Sequence, residues 1–180
     1  MISVIVDKNQ KILRNKAELE KELGLKISIK KNEVSLDGKA EQEFIGEKVI
    51  EAINFGFPVQ VALSLKKEDF MFYVLTIKDY THRKDLASIR ARVIGTDGRT
   101  LRTLATLTDC FFEMKDNEVG IIGAPEYIKN AQNAIISLIR GAKQANIYGY
   151  LEHHKVEPVF DLGLKEQKSK KSRKVKKVKE

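Results

Sequence analysis

The clearest chemistry in the chain lies in the run Arg92-Val93-Ile94-Gly95-Thr96-Asp97-Gly98-Arg99-Thr100, an apolar helix end that enters a Gly-x-x-Gly loop and leaves it directly into a second helix. Paired glycines let the backbone turn tightly and approach another backbone closely. Amides beside a helix N-terminus favour an anion through the macrodipole. Arg90, Arg92, Arg99 and Arg102 surround the loop with positive charge, so the chemistry these residues fit is the holding of a phosphate. A Gly-x-x-Gly alone also describes an ordinary tight turn, and the surrounding elements decide between the two.

Those elements read as follows. Ile2 to Val6 is a strand, Gln10 to Leu23 a helix stopped by Gly24, and Leu25 to Ile29 and Val34 to Leu36 a hairpin turning at Lys31-Asn32. A helix runs from Lys39 to about Phe55, closed by Gly56 and Pro58. Val59 to Leu65 fits a short helix or a strand. Met71 to Tyr80 is β-branched and aromatic enough for a strand, and His82 to Ile94 is the helix that leads into the loop. After it come a helix from Arg99 to Leu107, strands Cys110 to Met114 and Val119 to Ile122, and a helix from Pro125 to Arg140 ending at Gly141.

Sliding the sequence on itself by 85 positions lays Asn32-Glu33-Val34 on Asn117-Glu118-Val119, Gly38 on Gly123, Arg14 on Arg99 and Gly56 on Gly141. The matches fall at turns and helix ends, so the chain reads as a tandem duplication. The second copy has the order strand, helix, Gly-x-x-Gly, helix, strand, strand, helix. That is the order of a KH domain, whose loop clamps about four nucleotides by their backbone. At the same offset the first copy has Gln10-Lys11-Ile12-Leu13, without glycine, and no helix before it. The expected fold is α+β, two tandem type I KH units packed together, with a degenerate unit over 1–67, a loop-bearing unit over 68–155 and a basic tail over 156–180.

Composition supports a binding protein. Of the net charge of +8, residues 165–180 contribute +7, leaving a body near neutrality. Within the body, Arg83, Lys84, Arg90, Arg92, Arg99 and Arg102 against Asp85 and Asp97 make a local +4 over residues 83–102. Basic charge is thus concentrated at the loop and in the tail, where a polyanion would be held. The tail is too polar to bury anything and is expected to be disordered. Cys110, the only cysteine, excludes an intramolecular disulfide and a cysteine zinc site. With no secretory apolar core at the N-terminus and no apolar run near membrane length, the expected location is cytoplasmic. His153-His154 lacks a third metal ligand, and no nucleotide motif or catalytic carboxylate pair stands out. No enzyme activity, metal or cofactor is expected. Phe111, Phe112 and Tyr127 fit core packing better than base stacking.

The run Arg92-x-Ile94-Gly95-x-x-Gly98-Arg99-Thr100, followed by Asn117-Glu118-Val119-x-Ile121-x-Gly123, Leu138-Ile139-Arg140-Gly141 and Tyr148-x-Tyr150-Leu151-Glu152, resembles the archaeal Dim-two or partner-of-Nob-one family. The resemblance covers residues 1 to about 155. It implies an RNA-binding assembly factor of the small ribosomal subunit that binds single-stranded ribosomal RNA near its 3′ end. It also implies a partnership with the endonuclease that trims that end and with the subunit precursor. The expected RNA-binding residues are Arg90, Arg92, Ile94, Gly95, Thr96, Asp97, Gly98, Arg99, Thr100 and Arg102, with base edges read between the two helices and the Cys110 to Met114 strand.

Thr96-Asp97 departs from the family, which usually has Lys or Arg inside the loop. A carboxylate a few ångströms from a phosphate is repulsive by about 1 kcal/mol or more. Asp97 also stands where a carboxylate can cap the following helix. Weaker RNA binding follows from the first property, and the rival reading is a protein scaffold that recruits a processing nuclease.

Overall fold

The computed structural model describes residues 2–67 and 69–154; the basic tail expected over 156–180 lies outside them. The first half contains strand β1 (Ile2–Ile5), helices α1 (Gln10–Arg14) and α2 (Lys16–Leu23), the hairpin β2 (Lys26–Lys30) and β3 (Glu33–Asp37), and helix α3 (Ala40–Phe55). A linker of one short helix, α4 (Val59–Ala62), and a 3-10 turn over Leu63–Lys66 leads to the second half. There strand β4 (Met71–Thr76) precedes α5 (Leu86–Ile94), α6 (Arg99–Thr108), β5 (Phe111–Lys115), β6 (Glu118–Gly123), α7 (Pro125–Arg140) and α8 (Gln144–His153).

Each half builds a three-stranded antiparallel sheet with its hairpin return strand in the centre, in the order β1-β3-β2 and β4-β6-β5. The correspondence extends to register: Ile27 faces Leu36 in the first sheet, and Phe112 faces Ile121 in the second, each at the 85-residue offset. Backbone positions with positive φ recur at the same offset, Gly24 with Asp109 and Lys31 with Asp116. The helices α3 and α7 likewise share length and offset. This is a mixed α+β fold of the KH type.

Alternation along β6 joins the halves, because successive side chains of a strand leave opposite faces. Val119 and Ile121 enter the core formed with α5, α6, α7 and α8. Ile122 enters the other core, with Leu36, Ile50, Phe57 and Phe72. Phe55, Phe57 and Phe72 meet with centroids 5.8–6.0 Å apart, packing the end of α3 on the back of the second sheet. At the rim, Lys115 pairs with Asp7 at 2.5 Å and donates to the Asn54 carbonyl at 3.3 Å.

Several elements differ from the sequence expectation for identifiable reasons. The Gln10 to Leu23 helix breaks at Asn15, whose Nδ2 donates to the Lys11 carbonyl at 2.7 Å and competes with the helical ladder. The break rotates the two pieces, so Ile12, Leu19 and Leu23 are buried while Leu13 and Ala17 are exposed. The Met71 to Tyr80 strand stops at Thr76 and continues as a 3-10 turn over Ile77–Tyr80, tied to the hairpin turn by Ile77 N–H donating to the Asn117 carbonyl at 2.9 Å. The helix before the loop starts at Leu86 rather than His82. Asp85 caps it, accepting from the Ser88 amide at 3.1 Å.

Candidate nucleic-acid interface

The loop between α5 and α6 is held by its own backbone. Gly95 N–H donates to the Ala91 carbonyl at 2.8 Å, Gly98 N–H donates to the Gly95 carbonyl at 3.2 Å, and Arg99 N–H donates to the Thr96 carbonyl. Thr96 and Asp97 form the exposed tip. The two glycines do different work. Gly95, at φ 74° and ψ 172°, leaves no space for a Cβ, which would come within 2.8 Å of the Thr100 backbone nitrogen. Gly98, at φ 72°, has room for a Cβ, whose nearest neighbour would be Arg102 Nε at 4.0 Å, and supplies the left-handed conformation alone.

Asp97 is not a helix cap. It adopts φ 52° and ψ 31°, a left-handed conformation that Asp and Asn tolerate, while Gly98 takes the N-cap position of α6 with no side-chain hydrogen bond. The carboxylate stands exposed at the loop tip, and α6 begins without its help.

The expected RNA-binding residues divide into groups. Ile94, Gly95, Thr96, Asp97, Gly98 and Arg99 form the loop surface itself, Ile94 half-buried and Arg99 exposed. Among the described residues Arg99 has no hydrogen bond or ion-pair partner on its side chain, so its charge is available. Arg102, one turn further on, folds back to the loop: its Nη2 donates to the Asp97 carbonyl and its Nε to the Gly98 carbonyl at 3.5 Å. Arg90 reaches the other way, its Nη1 donating to Asn117 Oδ1 at 3.4 Å and to the Asp116 carbonyl at 3.5 Å in the β5–β6 turn. Arg92 points toward the C-terminal end of α7, with Nη1 3.3 Å from where a Cβ on Gly141 would lie.

Thr100 does not belong on the surface. It is 3% exposed, and its Oγ1 accepts a 2.9 Å hydrogen bond from Gln144 Nε2. Gln144 also donates to the Arg92 carbonyl at 3.4 Å. One residue at the start of α8 therefore ties the end of α5 to the first turn of α6, fixing both stems of the loop. Sequence reading missed Gln144. Only the Tyr148 to Glu152 segment marked the region, and no cap or glycine announces the start of α8.

Beside the loop, β5 is the edge strand of its sheet, next to α6. Phe112 and Met114 are half-buried against the second core, as is Tyr127, whereas Phe111 is 43% exposed on the opposite face. Burial pushes the Cys110 thiol up to about 11, which makes it a packing residue beside Gly123. His154 stacks on Tyr150 with centroids 4.1 Å apart, and no cluster of metal-binding side chains exists among the described residues.

Residues 71–156 match the model of the second KH domain of PNO1, described as a eukaryotic-type KH domain (KH domain type I). The chain is 29% identical over 161 residues to a KH domain-containing protein of Methanocaldococcus jannaschii, covering 86% of this chain and 70% of that protein. It is 30% identical to the RNA-binding protein pno-1 of Caenorhabditis briggsae, covering 74% of this chain and 52% of the relative. The chain thus spans about half the length of that eukaryotic relative. Among solved structures, Dim2p from Pyrococcus horikoshii superposes with a TM-score of 0.75 at 27% identity, over 84% of this chain and 98% of that one. The a/eIF2alpha–aDim2p–rRNA complex from the same organism gives 0.75 at 26% identity, over 84% and 92%. In fold, loop and sequence the chain is thus similar to the KH-domain proteins of the Dim2/PNO1 family.

Proposed function

We propose that this protein is an assembly factor of the small ribosomal subunit that binds single-stranded precursor RNA near its 3′ end, in the cytoplasm, and catalyses no step itself. The observation that carries the reading is the loop geometry. Gly95 to Gly98 presents an exposed backbone tip with the unpaired Arg99 guanidinium directly after it. An arginine with all its donors available is suited to a phosphate oxygen pair. Relatives described as RNA-binding and pre-rRNA-processing proteins support the choice of ribosomal RNA. So does the rRNA complex of the Pyrococcus horikoshii homologue.

The first half is a KH unit that has lost its loop and the preceding helix. Where the second half has glycines, it has Gln10 to Leu13 within α1, and the Lys11 Nζ donates to the Gly56 carbonyl at 2.8 Å. A residue placed for RNA is thereby used to cap the end of α3. This half braces the second and contributes no clamp of its own.

A protein-docking role is favoured by a separate observation. Phe44, Ile45, Leu65, Phe70, Met71 and Phe72 line a cleft of about 320 Å³ whose charged lining residues, among the described residues, are Lys48, Lys66 and Lys67. An apolar segment bearing acidic residues, supplied by the nuclease that trims the RNA end, matches that lining.

Crosslinking the protein to RNA in cells and sequencing the attached fragments tests the main reading. Reads gathered at the 3′ end of the small-subunit RNA support it, and an even spread over messenger RNAs overturns it.

A further inference from the structure

Four arginines flank the loop within α5 and α6, and the side chains of Arg90 and Arg102 are engaged with carbonyl or amide oxygens of the second half. On the side of α5 that faces α7 the situation differs. Arg92 Nη1 and Arg83 Nη2 lie 3.3 and 3.9 Å from the same point, the position a Cβ on Gly141 would occupy at the C-terminal end of α7. Both side chains are exposed, and neither has a hydrogen-bond or ion-pair partner among the described residues. The acidic residue nearest Arg83 in sequence, Asp85, is committed to the Ser88 amide at 3.1 Å and the Ser88 hydroxyl at 2.5 Å. Arg140 and Lys143, both exposed, flank Gly141. Two guanidiniums brought together with their donors unmatched repel each other unless an anion joins them, and forked guanidinium donors match phosphate oxygens. The carbonyls at the end of α7 offset part of that repulsion through the helix dipole but accept no hydrogen bond from either side chain.

We infer that Arg83 and Arg92, flanked by Arg140 and Lys143, form a second phosphate site that receives the RNA backbone outside the nucleotides held by the Gly95 to Gly98 loop. The inference rests on the RNA-binding reading above and extends it. The two sites share one mount: Arg92 lies one helical turn before Gly95, and Gln144 holds its carbonyl at 3.4 Å while holding Thr100 at 2.9 Å. A strand leaving the loop toward α7 would meet these cations, whereas a strand confined to the groove beside β5 would not. The site reads no bases, because guanidiniums on phosphates position a strand without reporting its sequence.

The test compares a four-nucleotide and a twelve-nucleotide single strand, both taken from the 3′ end of small-subunit ribosomal RNA, in affinity titrations at three salt concentrations. The proteins are the unaltered chain, the double variant Arg83→Gln/Lys143→Gln, the charge-preserving Arg83→Lys, and Arg99→Glu, each first shown to melt like the parent. The double variant is expected to bind the short RNA as the parent does, and to lose on the order of tenfold on the long RNA. Its salt slope should become shallower by about 1.4, the loss of two phosphate contacts on a single strand. Arg83→Lys should fall between the double variant and the parent. Equal losses on both RNAs, or no loss on the long one, overturn the second site. If Arg99→Glu changes neither affinity, the loop clamp is wrong. The second site then stands only if the double variant still weakens the long RNA.

Discussion

Thr100 lies directly beneath Gly95, with its Cβ and backbone nitrogen each 2.8 Å from the place a side chain on Gly95 would occupy. The loop therefore rests on the first turn of α6, and Gly95 is required for space as well as for its φ of 74°. Gly95→Ala should lower the melting temperature clearly. Gly98→Ala should cost only the left-handed penalty of about 1–2 kcal/mol, and Gly98→Asn less than Gly98→Ala. Thermal melts of the three variants check the order, and an equal loss at both glycines would show that Thr100 can move aside.

Asp97 should affect binding and leave stability nearly unchanged. Its carboxylate caps nothing in α6, and its φ of 52° is one that Asn adopts readily. Asp97→Asn is expected to melt with the parent and to bind RNA more tightly. Asp97→Lys should bind tighter still, with a salt slope steeper by roughly one phosphate equivalent. RNA titrations beside melting curves decide this, and a large stability loss in Asp97→Asn would restore a capping role.

Lys11 stands at a loop position of the first half and Arg99 directly after the loop of the second, and their charge reversals should separate. Lys11→Glu removes the 2.8 Å hydrogen bond to the Gly56 carbonyl and should cost about 1 kcal/mol of stability with little effect on RNA. Arg99→Glu breaks no side-chain hydrogen bond or ion pair among the described residues and should weaken RNA binding at unchanged melting temperature. Denaturant unfolding and RNA titration on the same samples check the pair. The same outcome for both would mean that the two halves are used alike.

Acid should loosen the start of α5 before the core. The Ser88 hydroxyl, then the Ser88 amide, hold the Asp85 carboxyl below the usual aspartate range. A group whose folded value is depressed contributes stability above its unfolded value of about 3.9 and loses it as pH falls through the lower folded value. Protection from hydrogen exchange over Leu86–Ile94, taken relative to the intrinsic exchange rate at each pH, should therefore fall as the pH falls below about 4, and Asp85→Ala should show that lowered protection already at neutral pH. Asp85→Asn, which keeps the accepting oxygen but does not titrate, should stay close to the parent at neutral pH and lose no further protection in acid.

The sequence made the repeated order of elements legible because helix ends and turns carry local signals. Gly24, Gly56 and Gly141 end helices where expected, and the β2–β3 turn falls at the residues named for it. What it concealed depends on contacts distant along the chain. The kink at Asn15 comes from one side chain bonding its own helix, a choice that periodicity does not register. The end of β4 at Thr76 is set by the Asn117 carbonyl, and the burial of Thr100 by Gln144, 44 residues later. The arginines around the loop are legible as composition, but their directions are not. Arg99 alone stands at the tip without a partner, Arg90 and Arg102 brace the loop and the β5–β6 turn, and Arg92 joins Arg83 on the side toward α7.

The most direct test of the loop as a phosphate clamp is the affinity of a Thr96→Asp variant for a single-stranded RNA from the 3′ end of the small-subunit RNA. Thr96 is exposed and lies beside Asp97, so the change places a second carboxylate at the tip without disturbing the core. The clamp predicts an affinity loss of tenfold or more, about 1.4 kcal/mol, at an unchanged melting temperature. Unchanged affinity in a folded Thr96→Asp protein would contradict it, and would leave the loop as a turn and the Phe44 to Phe72 cleft as the better candidate for what this chain binds.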